Sequence, residues 1–182
     1  MSAACRVVLV GMMGSGKTVV GRLLAARTGW PLHDNDELVL QLFDATPRQI
    51  LAAHGEARLR AAESEALAMG LEAPPPSIVG AAAGTILDAA NRDVLGHAGV
   101  VVWLRASADE IERRATGAEH RPWLDTGGAD WIREAVMARN PLYGSVADLT
   151  LDTDHLRPAA VAKEILSHLR DVEACRDRLQ PG

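Results

Sequence analysis

Residues 11–18 read Gly-Met-Met-Gly-Ser-Gly-Lys-Thr, a complete G-x-x-x-x-G-K-[ST] phosphate-binding loop. The pattern works only between the end of a strand and the start of a helix, so it fixes local architecture as well as chemistry. An apolar run, Arg6–Val10, precedes it, and a helical pattern from Val19 to Thr28 follows. Glycines let the backbone bend and approach an anion closely. The helix N-terminus then turns unpaired N–H groups and its positive dipole end toward phosphate. Gly11, Met13, Gly14, Ser15 and Gly16 are the expected loop contacts to a nucleotide, with Lys17, Thr18 and Val19 at the helix start. Lys17 is placed to reach the β- and γ-phosphates, and the Thr18 hydroxyl to ligate Mg²⁺.

The rest of the chain repeats the alternation of strand and helix. Strands are predicted at Arg6–Val10, Pro31–His33, Ser77–Gly80, Val100–Leu104 and Leu149–Asp152. Val100–Leu104 is continuously apolar, as a strand buried on both faces should be. Helices are predicted at Lys17–Thr28, Asp36–Phe43, Pro47–Ala53, Glu56–Met69, Asn91–Leu95, Ala108–Thr116, Asp130–Arg139 and Pro158–Arg170. Such alternation implies an α/β fold, a parallel sheet covered by helices on both faces. At 182 residues one domain is expected, over 1–170. The segment 117–130 is polar and glycine-rich, and is expected to form a mobile lid. The charged tail 171–182, ending Gln-Pro-Gly, is expected to fray.

Net charge is −5, so nucleic acid and anionic membranes are not default partners, and an anionic substrate must be met by a few placed cations. Cys5 and Cys175, at opposite ends, form neither a disulfide framework nor a zinc spacing, which suggests a reducing compartment. No signal-peptide pattern and no apolar stretch near the ~20 residues of a membrane helix is seen. The expected location is the cytoplasm. The six histidines show no ligand pattern and are expected to be surface or packing residues.

His33-Asp34-Asn35-Asp36 falls at the end of the second predicted strand, beside the phosphate loop. In open α/β sheets ligands bind beyond the carboxyl ends of strands. Phosphoryl transfer needs a carboxylate for Mg²⁺ and gains from one that orients the attacking hydroxyl. Alternate residues of an extended segment face the same way, so Asp34 and Asp36 can both reach the site. Helix capping is the competing explanation, since Glu37 three residues after Asp34 resembles a capping box. Glu56 and Arg60 are spaced i, i+4; this suits a surface ion pair, or leaves Arg60 to bind a substrate carboxylate. Arg121 lies in the expected lid, where it could close over the transferring phosphate. Arg139 ends a predicted helix, either complementing its dipole or supplying a second carboxylate clamp.

Taken together these motifs resemble the shikimate kinase family over nearly the whole chain. The phosphate loop continues Val-Gly-Arg-Leu-Leu-Ala, and Asp34-x-Asp36 resembles the family's D-x-D. Gly55-Glu56 with Arg60 and Glu63 resembles GE-x-x-FR-x-x-E, with Leu59 for Phe. Arg121-Pro122-Trp123-Leu124 resembles the lid R-P-L-L, and Arg139-x-Pro141-Leu142-Tyr143 resembles R-x-P-L-Y. The resemblance implies a three-layer nucleoside-monophosphate-kinase-like fold with five parallel strands in order 2-3-1-4-5. It implies transfer from ATP, with Mg²⁺, to the 3-hydroxyl of shikimate by a cytoplasmic, monomeric enzyme. Asp36 would orient the acceptor hydroxyl, Asp34 would hold the Mg²⁺ water shell, and Arg121 would close on phosphate. Arg60 and Arg139 would clamp the acceptor carboxylate, and Arg114 and Pro158 would sandwich adenine.

One segment departs from the family. Its third strand ends in Gly-Gly-Gly, whereas here Gly80 is followed by Ala81, Ala82 and Ala83, then Gly84. Gly80, Ala81 and Ala82 are the expected backbone contacts to the acceptor. A methyl there narrows the pocket, and costs about 1 kcal/mol or more if positive φ is required. Asp44 and Pro47 also replace the family's usual Gly and Ile near the acceptor. These changes keep two other readings in play: a kinase for another hydroxy acid such as gluconate or for a nucleotide, or a nucleotide-binding module without transfer activity.

Overall fold

The structure, a computed structural model, describes residues 5–115 and 124–179. The chain runs β1 (Arg6–Val10), α1 (Lys17–Thr28), β2 (Leu32–Asp34), α2 (Asn35–Phe43), α3 (Pro47–Glu72) and β3 (Ser77–Gly80). After a 3₁₀ turn (Thr85–Leu87) come α4 (Ala89–Leu95), β4 (Val100–Arg105), α5 (Ala108–Ala115), α6 (Leu124–Val146), β5 (Leu149–Asp152), α7 (Pro158–Asp171) and α8 (Glu173–Arg176). The five strands lie in the order β2-β3-β1-β4-β5 and every pairing is parallel, as expected.

β1 sits in the middle, with Val8 opposite Val79 of β3 and Val101 of β4. Because side chains alternate along a strand, β1 feeds two cores. Val7 and Leu9 pack with Leu24, Ile165 and Leu169 beneath α1 and α7. Val8 and Val10 pack with Leu67, Ile86, Ile132 and Tyr143 on the other face. Apolar residues on both faces are what a parallel sheet with helices on each side demands. A third cluster, including Leu38, Val39, Ile50 and Leu59, joins α2 to α3.

Local signals account for most boundaries. Thr46 and Gln49 form a reciprocal capping box at the start of α3, with Pro47 in its first turn. Gly55, at φ 80° and ψ 179°, breaks α3 into the two segments predicted from sequence. β2 is shifted by one residue and ends at Asp34, which is the N-cap of α2.

Four expectations are corrected. The helix predicted at Asp130–Arg139 runs from Leu124 to Val146, passing a kink at Gly128 and continuing through Pro141. Proline inside a helix removes a hydrogen bond, but Tyr143 beyond it is 1% exposed, stacks on Trp103 at 5.8 Å and donates to the Ala83 carbonyl at 3.0 Å. That packing carries the helix onward. Of the expected lid over 117–130, residues 117–123 lie outside those described, and Leu124 onward is helical.

The tail expected to fray forms α8, and Cys175 within it is fully buried. Residues 180–182 lie outside those described. Cys175 is also disulfide-bonded to Cys5, with Cα atoms 4.9 Å apart, contrary to the expectation from their separation in sequence. Both pack in the core beneath α7, which brings the two ends of the chain together.

Candidate active site

A cleft of about 1080 Å³ opens at the carboxyl ends of β1, β2 and β3, and gathers residues from widely separated parts of the sequence. On its nucleotide side, Gly11 has φ 145°, and a methyl there would strike the Leu104 carbonyl, so only glycine fits. Gly16 starts α1 in the left-handed region, and no side chain caps the helix. The N–H groups of the first turn are thereby left for a ligand. Lys17 Nζ donates to the carbonyls of Gly11 at 2.8 Å and Met12 at 3.0 Å. The Ser15 hydroxyl is buried with no hydrogen-bond partner among the described residues.

Arg114 braces this side from α5. It donates to the Gly14 carbonyl at 3.0 Å, to the Thr153 carbonyl at 2.6 Å and to Glu110 at 2.7 Å. One guanidinium thus joins the phosphate loop to the turn before α7, whose first residue, Pro158, lies exposed in the same cleft. Hydrogen bonds from Arg113 and Arg114 pull the Glu110 carboxyl down to about 2, so it is ionised at neutral pH and holds both arginines.

Asp34 stands between the two sides. Its Oδ2 accepts from the Thr18 hydroxyl at 2.9 Å, and its Oδ1 accepts from the Asp36 N–H at 3.0 Å. Capping and proximity to the phosphate loop are therefore both true of this carboxylate. Asp36 is on the first turn of α2 rather than in an extended segment, yet it still lines the cleft. Its side chain is exposed to solvent within the cleft. Loss of hydration, then the charge of Asp34, push its carboxyl above the ordinary value, with Lys17 opposing.

The acceptor side is built on α3 and α6. Arg60 pairs with Glu63 at 2.7 Å and Glu56 at 2.9 Å. Burial pushes the Glu63 carboxyl up, and the Arg60 charge partly offsets this. Arg139 is 7% exposed in the cleft wall. It donates to the Ala83 carbonyl at 3.4 Å, and among the described residues no carboxylate lies within ion-pair distance. Burial, and more weakly the like charge of Arg60, push its guanidinium below the ordinary value.

The structure brings nearly all of the predicted residues to one cleft: the phosphate loop from Met13 to Val19, Asp34 with Asp36, Arg60 with Arg139, Gly80 to Ala82, and Arg114 with Pro158. Gly11 lies behind the lining and shapes the loop. Arg121 lies outside the described residues. Ala81, Ala82 and Ala83 all avoid left-handed φ, so the alanines are not strained. Glu63, Glu110 and Thr153 were given no role from sequence. The i, i+3 spacing of Arg60 with Glu63 and the i, i+4 spacing of Glu110 with Arg114 were the available signals.

The shikimate kinase family model matches residues 13–170. A shikimate kinase from Xanthomonas campestris pv. campestris is 38% identical over 170 residues, 93% of this chain and 94% of that protein. One from Symbiobacterium thermophilum is 38% identical, covering 91% of this chain and 96% of its own. The shikimate kinase of Acinetobacter baumannii, solved in complex with shikimate, superposes with a TM-score of 0.86 at 29% identity, covering 94% of this chain and 96% of that one. With the match covering the phosphate loop from Met13 onward, Arg60, Arg139 and strands β2 to β5, this chain belongs to the shikimate kinase family.

Proposed function

We propose that this chain transfers the γ-phosphoryl group of ATP to the 3-hydroxyl of shikimate. The observation that carries the acceptor assignment is Arg139, a buried cation in the cleft wall with no carboxylate within ion-pair distance among the described residues. A buried charge left unpaired is costly, and a substrate carboxylate received between Arg139 and Arg60 relieves that cost. The family's relatives act on shikimate by name, and one was solved with it bound.

The N–H groups opening α1 receive phosphate oxygens, and Lys17 leaves its loop carbonyls to bridge them. Arg114 and Pro158 hold the base. Asp36, ionised, accepts a hydrogen bond from the acceptor hydroxyl, aims its oxygen and takes its proton as the new P–O bond forms and the bond from the γ-phosphorus to the bridging oxygen breaks, releasing ADP. Arg121 is the cation proposed to stabilise charge on the transferring group.

Thr18 and Asp34 fit Mg²⁺: a hydroxyl and a carboxylate 2.9 Å apart are hard oxygen donors of the kind it prefers. Among the described residues no cluster of three or more His, Cys, Asp or Glu could cage a metal ion. This suits an ion held by few protein groups together with phosphates and water. When bound, Mg²⁺ neutralises charge on the phosphate oxygens.

Among the described residues no helix is long and apolar enough to cross a membrane. The Cys5–Cys175 disulfide removes the cysteine argument for a reducing compartment, and a monomer is the proposed state. Turnover of ATP and Mg²⁺ with shikimate, gluconate or a nucleoside as acceptor tests the proposal. Shikimate-dependent ADP release at kcat/KM of about 10⁴ M⁻¹s⁻¹ or more is expected. Turnover confined to another acceptor, or none at all, would overturn it.

A further inference from the structure

Asn35 is the middle residue of Asp34-Asn35-Asp36, and the roles in phosphoryl transfer fall on its two neighbours. It opens α2, is 2% exposed and stands in the wall of the cleft. Its Nδ2 donates to the Glu63 carbonyl of α3 at 2.9 Å, across 28 residues of sequence. Only the nitrogen of an amide can donate to a carbonyl, so this contact also fixes the place of Oδ1. Oδ1 is buried and has no hydrogen-bond partner among the described residues. A buried acceptor without a partner destabilises at least as much as one ordinary hydrogen bond stabilises. The Glu63 carbonyl lies within α3, where the N–H four residues on serves it in any case. As a source of stability, asparagine is therefore a poor choice here, and leucine, of similar shape, would leave no orphaned oxygen. What the bond supplies is geometry. α2 and α3 also meet through the apolar cluster of Leu38, Val39, Ile50 and Leu59. Apolar contact is non-directional, whereas an N–H···O bond fixes both distance and angle.

We propose that Asn35 is a positioning residue for the acceptor: by tying the start of α2 to the turn of α3 that carries Arg60 and Glu63, it sets the separation between the Asp36 carboxylate and the Arg60 guanidinium. This rests on the function proposed above, with Asp36 at the reacting hydroxyl and Arg60 at the acceptor carboxylate. Asp36 directly follows Asn35, and Arg60 lies one turn before Glu63 and pairs with it at 2.7 Å. The carboxylate and the 3-hydroxyl of shikimate sit on one ring, at a separation the protein has to match. With the tie cut, either end still binds while the other drifts out of line, and a misplacement of about 1 Å costs about 10² in rate. Acceptor use and stability therefore respond differently to loss of this bond. A purely structural hydrogen bond would lower stability and impair both substrates together.

The test is steady-state kinetics and thermal melting of the full chain carrying Asn35→Leu, Asn35→Ala, Arg60→Ala, or Asn35→Leu with Arg60→Ala. Asn35→Leu should lower kcat/KM for shikimate about 10–100-fold, leave KM for ATP within about twofold, and not lower the melting temperature. Asn35→Ala, which leaves space instead of filling it, should show the same kinetic split and decides the question if the leucine variant does not fold. In the Arg60→Ala background, Asn35→Leu should cost less than about threefold more, because with one end gone there is no separation to match. If both Asn35 variants keep kcat/KM for shikimate while Arg60→Ala lowers it, the inference fails and the carboxylate clamp stands. Additive losses in the double variant, or a lower melting temperature of Asn35→Leu with both KM values raised, also overturn it. If Arg60→Ala itself leaves KM for shikimate unchanged, the clamp fails and the inference falls with it.

Discussion

Asp34 meets two demands with one carboxylate: one oxygen caps α2 through the Asp36 N–H, and the other accepts from Thr18. Asp36 is thereby held beside a second negative charge at the mouth of the cleft, where loss of hydration and Asp34 both raise its carboxyl above 3.8. A carboxyl raised in the folded state binds its proton more tightly there than in the unfolded chain. Its favourable contribution to folding is present below the unfolded value and lost as pH rises through the raised one. At neutral pH the ionised form, which catalysis requires, thus opposes folding. Asp36→Asn should cut kcat by about 10²–10⁴-fold and raise the melting temperature at pH 7. The gain should shrink as the pH is lowered toward 4, about the ordinary value of a carboxyl. Kinetics and a pH series of melting curves check both parts; a lower melting temperature at pH 7 would contradict the electrostatic account. These residues were legible in the sequence because their spacing is local: the loop motif, D-x-D and the arginine of α3 each declare themselves within a few positions. Asn35 was not, because its partner, the Glu63 carbonyl, lies 28 positions further along the chain.

Gly55 shows the same division at the level of elements. Its φ of 80° and ψ of 179° fall in a region open essentially to glycine, and the space around its Cα is empty. Gly55→Ala therefore tests backbone strain without steric overlap. It should cost about 1–3 kcal/mol, read by denaturant unfolding, and should weaken shikimate more than ATP because Arg60 and Glu63 ride on the segment after the kink. Equal stability would mean that α3 straightens at no cost. Strand positions were read well because both faces of the sheet are apolar, and β1, β3 and β5 match their predicted bounds. α6 was read short at both ends. Gly128 and Pro141 are helix-breaking signals, and sequence offers no measure of the tertiary packing of Tyr143 on Trp103 that overrides the second.

For the whole molecule, distance along the chain was a poor guide to distance in space. Cys5 precedes the central strand, and α7, which ends near Cys175, packs over that strand's face, so the two ends meet beneath one layer of helix. A bridge between residues 170 apart in sequence constrains the unfolded chain over almost its full length. On the chain-entropy account the stabilisation approaches about 5 kcal/mol. Exchange requires a thiolate to reach a sulfur, yet Cys5 is 5% and Cys175 0% exposed. The native protein should therefore resist mild reductant and show no free thiol to a maleimide until it is unfolded. Cys5→Ala and Cys175→Ala should each lower the melting temperature by about 10 °C and leave KM for ATP and shikimate unchanged, since neither cysteine lines the cleft. Rapid labelling of the native protein, or an unchanged melting temperature in both variants, would show that packing alone joins the two ends and that the bridge adds nothing to the fold.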